Sequence, residues 1–447
     1  MTDALIRRLG GPMGRHARRA GLWFDPLPWA VLVAGGLFAL LFLRHVPCLQ
    51  VAADDVVNTY IRACYSDMQP IFLGEGLGIG GSPLTSAQMT LPPLVAVLVL
   101  AARAAAVGLG APVAVGASLQ DQIDASVLFF AVTSVALFVC FAVVVLCLAA
   151  LGRGHARGRS WDAMVVASSP IVLAAGLIDW TLFPLALTAV ALLLLSRGAM
   201  LAGGIVLGLA ACAGTMPIAV LLATVVVAGL RRGWPTATKV LAGGVGAFLL
   251  VHLPLLLTDV NRVYAFYHGE INKNTGYGSI WYLLEQLGAA ARSTGSFAFA
   301  LLLLFLGVFI AWMYVTRRRP RLAAVVAVMV LATTLLGPAF PPQTALWLLL
   351  VVLLARPGRA QFAALTATQV AYYLAIWGWL GGGLTIGQSG PYLLYWLAIA
   401  LRWGVELWLL IGLVREIARS GPADLVGRDR RHAAGDGHLV PHGYQRV

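Results

Sequence analysis

Charge is what this chain lacks most. Only 11% of its 447 residues are Asp, Glu, Lys or Arg, where a soluble domain carries roughly a quarter. It is also 60% hydrophobic, with a mean hydropathy of +0.86. A water-soluble globule is excluded. Strict apolar–polar alternation is missing too, which argues against a membrane β-barrel. Apolar windows of roughly 20 residues recur instead, each long enough to cross a hydrocarbon core about 30 Å thick. Such segments must be helical, because lipid offers the backbone no hydrogen-bond partner. The chain has no Walker A sequence, CxxC pair, HExxH or Rossmann fingerprint. No nucleotide, metal or cofactor is therefore expected.

Acidic residues are fewer than basic ones, 18 against 31, for a net charge of +13. The basic residues sit in short clusters between apolar segments rather than along one stripe. That distribution suits cytoplasmic loops under the positive-inside rule and argues against a nucleic-acid partner. Arg7, Arg8, Arg15, Arg18 and Arg19 place residues 1–27 in the cytoplasm. No small-residue cleavage site follows, so residues 28–43 are expected to be a retained first helix.

Charge then predicts the topology. Residues 45–124 form the first extracytoplasmic loop, with segment 91–109 lying along the membrane interface. A spanning 91–109 would put Arg153, Arg157 and Arg159 outside and invert every later cluster. Pro92-Pro93 and the central Arg103 also suit an interfacial helix. Spans follow at 125–151, 163–178, 181–196, 201–213, 218–230 and 240–257. After a second outer loop, 258–295, come 297–315, 322–336, 344–355, 362–380 and 392–414. The fold class is an all-α polytopic membrane protein with about twelve spans, both ends being cytoplasmic and the plasma membrane its location. The membrane domain covers 28–419. Residues 420–447 read as a disordered tail, whose His432, His438 and His442 are read as tail and not as a metal site.

Cys140, Cys147 and Cys212 lie in apolar runs and read as packing residues. Cys48 and Cys64 fall in the first outer loop, a compartment that permits disulfides. They are read as a bridge, the alternative being two free thiols.

The two outer loops hold the polar chemistry. The first carries Asp54, Asp55, Arg62, Asp67 and Glu75. Asp67 precedes a short helical turn and a Gly-rich break, and a carboxylate there is either a general base or a solvated cap. The second contains Tyr264, Tyr267, His268, Glu270, Asn272, Lys273, Trp281 and Arg292. Aromatic rings beside amides and charges suit a sugar, which offers an apolar face and a rim of hydroxyls. The same residues also fit an interfacial helix with belt aromatics. Asp179, His252, Arg402, Glu406 and Arg415 fall within or at the ends of apolar segments, where ionisable groups suggest function. Arg402 and Glu406, spaced i, i+4, also suit a simple pair.

Several short segments stand in order along the chain. They are Asp67 followed by an apolar-aromatic turn, Gly and Leu; Leu91-Pro92-Pro93-Leu94; Ala167-Ser168-Ser169-Pro170; and Gly176-Leu177-Ile178-Asp179-Trp180. Gly278-Ser279-Ile280-Trp281, Pro342-Gln343 with Leu346-Trp347, and Tyr373 with Ile376-Trp377 complete the set. The resemblance of these segments, in order and spacing, is to the actinobacterial integral-membrane glycosyltransferases of family 87, of GT-C architecture, and runs over residues 48–419. It implies a polyprenyl-phosphate sugar donor, carrying mannose or another envelope sugar, and a glycolipid or glycan acceptor at the outer face. It also implies that Asp67 deprotonates the acceptor hydroxyl and that transfer proceeds with inversion. Tyr65, His252, His268, Lys273, Trp281 and Arg292 would hold donor sugar or phosphate, with Asp54, Asp55, Arg62 and Asp179 as secondary candidates. One departure concerns the donor: Gly214 stands where the family has a Lys suited to the phosphate. The alternatives are a lipid or small-molecule transporter or flippase, and an envelope-assembly protein that has lost catalysis.

Overall fold

The structure is a computed structural model that describes residues 26–49, 52–54, 57–85, 89–153, 161–289, 294–383 and 392–420. The N-terminal arginines, Asp55, Arg292 and the C-terminal tail lie outside them. Among the described residues the regular structure is entirely helical. By length and composition, five helices can cross a membrane: Pro26–Cys48, Leu119–Gly152, Trp234–Thr258, Thr294–Val315 and Leu393–Arg419. The architecture fits a polytopic α-helical membrane protein.

We label helices in chain order. The first half comprises α1 (Pro26–His45), α2 (Met68–Gly74), α3 (Pro93–Gly108), α4 (Leu119–Arg153), α5 (Asp162–Ala167), α6 (Pro170–Ala175), α7 (Leu182–Ser196) and α8 (Met200–Ala211). The second comprises α9 (Met216–Arg232), α10 (Trp234–Thr258), α11 (Val260–Ile271), α12 (Ile280–Gln286), α13 (Thr294–Val315), α14 (Leu322–Leu336), α15 (Ala345–Ala355), α16 (Arg359–Leu380) and α17 (Leu393–Arg419). The segment expected as one helix over 163–178 is broken in two. Pro170 cannot continue the hydrogen-bond ladder, and Ser169 caps the new start by accepting from Ile171 N at 3.3 Å.

Burial sorts these helices. In α14, Ala324 to Ala332 are buried without interruption, and α15 is buried from Ala345 to Val352. A helix apolar all round belongs in a protein interior. By contrast α10 exposes Leu249, Leu250, Leu253 and Leu257, while α13 exposes Leu303, Leu304 and Val308. Rows of this kind suit lipid contact. Helices α8 and α10 approach closest at glycines: a Cβ on Gly204 would lie 2.3 Å from the Val240 carbonyl oxygen, and one on Gly208 2.2 Å from that of Gly244. This small-xxx-small spacing lets two backbones pack directly.

The bundle has two chemically different ends. At one, Arg321 meets Glu416 at 2.6 Å, Arg356 meets Asp162 at 2.8 Å, and Trp234 stacks on Tyr314. Those contacts join the ends of α10, α13, α14, α15 and α17 that carry the arginine clusters. The other end carries Asp67. Both ends of α3 lie there: Leu94 N donates to Cys212 O at 3.0 Å, and beyond its last turn Ala114 N donates to Gly78 O at 3.2 Å. Gly78 in turn sits on Gln122 in the first turn of α4. Helix α3 thus begins and ends on the Asp67 side.

Candidate active site

The bridge read from sequence is present. Cys48 and Cys64 form a disulfide with their Cα atoms 6.1 Å apart. It ties the end of α1 to the loop that leads into Asp67. Arg62 reinforces the closure, donating to the Pro47 carbonyl at 2.8 Å. Tyr373 Oη on α16 donates to Ala63 O at 2.8 Å, and Arg44 lies over the Tyr373 ring while donating to Ala174 O at 3.1 Å.

Asp67 occupies the N-cap position of α2, yet its side chain makes no capping bond. Local sequence helps explain this. An N-cap carboxylate accepts from the second or third helical N–H, and the third residue here is Pro70, which has none. Ser66 Oγ instead accepts from Met68 N at 3.4 Å. Asp67 is held by its backbone, its N–H donating to Ile178 O at 2.7 Å. The carboxylate lies close enough to the Tyr65 hydroxyl for it to favour the charged form, and it feels the charge of Asp179. The solvated-cap reading is therefore replaced by a partly buried carboxylate.

Its electrostatics follow. Burial, and then the Asp179 charge, push the Asp67 pKa up to about 6, against the pull of the Tyr65 hydroxyl. Asp179 is itself raised by desolvation, which is opposed by donors from Thr181 and Gln343. Thr181 supplies both its N–H and its hydroxyl, each at 2.9 Å. A carboxylate with a pKa near 6 is poised to take a proton near neutral pH.

Aromatic rings line this end. Tyr60 stacks on Tyr65 with centroids 5.0 Å apart, and Trp377 lies 5.5 Å from Tyr60 and 5.4 Å from Tyr65. Together with Asp67 and Asp179 they form a wall of ring faces beside two carboxylates.

No protein-family model and no curated protein matches this chain. The site rests on its geometry.

The remaining candidates are placed elsewhere or already committed. Lys273 is exposed and paired with Glu270 at 2.6 Å. His268 is exposed against Tyr264. Trp281 Nε1 donates to Leu336 O at 2.9 Å, and its ring meets Phe297. His252 Nε2 pairs with the Tyr267 hydroxyl at 2.7 Å, and its Nδ1 with Phe248 O at 2.9 Å. Asp54 is exposed. Gly214 packs beside Pro184 of α7, where a Cβ would find ordinary van der Waals contact at 3.6 Å. Tyr60 and the pairing of Gln343 with Asp179 were missed from sequence, because both come from long-range contact.

Arg402 and Glu406 form a buried pair at 2.6 Å, both fully enclosed. Glu406 also accepts from Gln369 at 2.9 Å and Thr334 at 3.2 Å, while Arg402 donates to Gly278 O at 2.7 Å and stacks on Phe340. These bonds pin the Gly278 loop to α14, α16 and α17.

Proposed function

We propose that this protein is a membrane glycosyltransferase that moves a sugar from a polyprenyl-phosphate donor to a glycolipid or glycan acceptor. The observation that carries the reading is Asp67: a carboxylate released from capping, raised to a pKa of about 6, and faced by aromatic rings. In this reading Asp67 removes the proton of an acceptor hydroxyl, whose oxygen attacks the anomeric carbon with inversion. The bond to the phosphate oxygen breaks, and polyprenyl phosphate leaves as an anion that needs no general acid. Tyr60, Tyr65 and Trp377 offer flat apolar faces to a sugar ring. Mannose, or another envelope sugar, is the transferred group.

The two chemically different ends support a placement in the membrane. The arginine-rich end faces the cytoplasm, so Asp67 works at the extracytoplasmic face of the plasma membrane, and both chain ends are cytoplasmic. Helix α3 lies along that interface. Counting α5 with α6 as one broken span, and including α16 and the shorter apolar helices, about twelve segments cross. The buried Arg402–Glu406 pair speaks for a braced scaffold and not for a transport relay, since each partner holds further hydrogen bonds.

The test is transfer of radiolabelled sugar from a polyprenyl-phosphate donor to extracted envelope lipids by the purified protein in liposomes. Parent protein should label a glycolipid and Asp67→Asn should not. Equal labelling by both would remove Asp67 from the chemistry.

A further inference from the structure

Behind the Asp67 turn lies a cavity of about 140 Å³, walled by α1, α2, α4 and the disulfide loop. Its lining includes His45, Thr59, Ser66, Gln69, Leu73 and Phe130, together with the Cys48–Cys64 bridge, and among the described lining residues only His45 could carry a formal charge. An apolar cavity of about 150 Å³ holds a benzene ring, six non-hydrogen atoms. This one is of that size but mixed in character, with Leu73 and Phe130 on some walls and hydroxyl, amide and imidazole groups on others.

His45 decides what can enter. It is 1% exposed. Nδ1 pairs with the Leu41 carbonyl at 2.8 Å, so it carries the ring proton and Nε2 is left as an acceptor. Nε2 is turned toward the Tyr65 backbone but reaches no hydrogen-bond partner. An acceptor buried without a donor is costly. Gln69 gives its amide N–H to Ser126 Oγ at 3.1 Å, which leaves its carbonyl oxygen to accept as well. Thr59 Oγ1 adds a hydroxyl, while Ser66 Oγ is already engaged, donating to Ile178 O at 3.3 Å and accepting from Met68 N at 3.4 Å. Acceptors and a hydroxyl on one side with hydrocarbon on the other match a small molecule having O–H donors on a carbon frame. Among the described lining residues a charged group would find no counter-ion.

We propose that this cavity is a subsite for a neutral polyol of glycerol size, one hydroxyl donating to His45 Nε2 and a second bonded by Gln69 and Thr59. Tyr65 and Ser66 line the cavity and directly precede Asp67, so the cavity backs the turn that carries the carboxylate. Its role as the place where an acceptor's polyol edge is seated rests on the glycosyl-transfer reading; the binding itself does not.

The experiment uses ligand-observed NMR on the full chain in nanodiscs of phosphatidylcholine, with glycerol as probe and benzene as an apolar control of equal heavy-atom count. Glycerol should show saturation transfer. Leu73→Trp, which fills the cavity, and Gln69→Leu, which removes an acceptor, should each weaken the signal by roughly tenfold or more. His45→Phe should shift preference from glycerol to benzene. Repeating the measurement in phosphatidylglycerol nanodiscs separates the sources: competition assigns the site to a lipid headgroup and persistence to a free polyol, and both support the subsite. Binding of benzene alone, or an undiminished glycerol signal in Leu73→Trp, would overturn it. If glycerol fails to bind while Asp67→Asn abolishes transfer, only this inference falls. If glycerol binds while Asp67→Asn leaves transfer intact, the catalytic reading falls instead.

Discussion

The charge of Asp179 adds to burial in holding a proton on Asp67, while the Tyr65 hydroxyl opposes both. The two neighbours therefore predict opposite displacements of one pH profile. For the parent protein, transfer should fall about tenfold per pH unit below the Asp67 pKa of about 6. Asp179→Asn should move that acid limb to lower pH, and Tyr65→Phe should move it higher. A limb that both variants leave in place would mean another group titrates.

Asp67 should also cost stability. Its pKa in the folded protein, about 6, lies above its ordinary value of 3.8. The folded state thus holds the proton more tightly than the unfolded chain. Stability from this group is full below pH 3.8 and is lost as pH rises through 6. Asp67→Asn should consequently be the more stable protein at pH 7.5, by on the order of 1–3 kcal/mol, with the gain gone near pH 4. Thermal unfolding at the two pH values measures it; equal shifts at both would show that the carboxylate is not desolvated.

The disulfide closes a loop with a sequence separation of 16, for which chain entropy gives about 3 kcal/mol. Replacing Cys48 and Cys64 by Ser should lower the thermal midpoint. It should also expose the 48–64 loop to protease in an otherwise folded bundle, because its other ties among the described residues are individually weak contacts, including Arg62 to Pro47, Ala53 to Gln120, Tyr373 to Ala63 and Tyr60 to Trp377. Limited proteolysis with mass readout checks this. Unchanged cleavage of the double variant would show that those contacts suffice.

Sequence carried the helical class, the disulfide and the short helical turn that follows Asp67, because each depends on local pattern. It did not carry the partners of Asp67. Tyr65 is two residues away, but Asp179 sits in the link between α6 and α7 and Gln343 lies before α15, so only tertiary packing brings them together. Contacts around the second outer loop were illegible for the same reason. Its aromatic and polar residues are sugar-site materials by composition, yet Trp281 and His252 spend their hydrogen bonds on Leu336 and Tyr267. The Gly204–Gly208 spacing was legible but silent, since small residues show their purpose only against a partner helix.

The buried pair on α17 makes an asymmetric prediction. Arg402 and Glu406 are both fully enclosed. Removing one partner leaves an uncompensated charge, which costs about 3–5 kcal/mol. Arg402→Ala should thus unfold or strongly destabilise the protein. Arg402→Met with Glu406→Leu should recover much of that loss, because the desolvation cost goes with the charges. If the double variant is no better than the single one, the bonds to Gly278 and Gln369 outweigh the ion pair.

Membrane orientation is open to direct test from the two ends of the bundle. Arg318 belongs to the arginine-rich end, and Lys273 lies in the loop after α11 at the Asp67 end, where Gly295 packs against its backbone. Cys140, Cys147 and Cys212 are buried or partly buried, and desolvation inside an apolar bundle keeps thiols inert. A single cysteine introduced at either position can then be read above that background. In intact cells, Lys273→Cys should react with a membrane-impermeant maleimide and Arg318→Cys should react only after permeabilisation. The reverse pattern would put Asp67 in the cytoplasm, where a donor presented at the outer leaflet could not reach it.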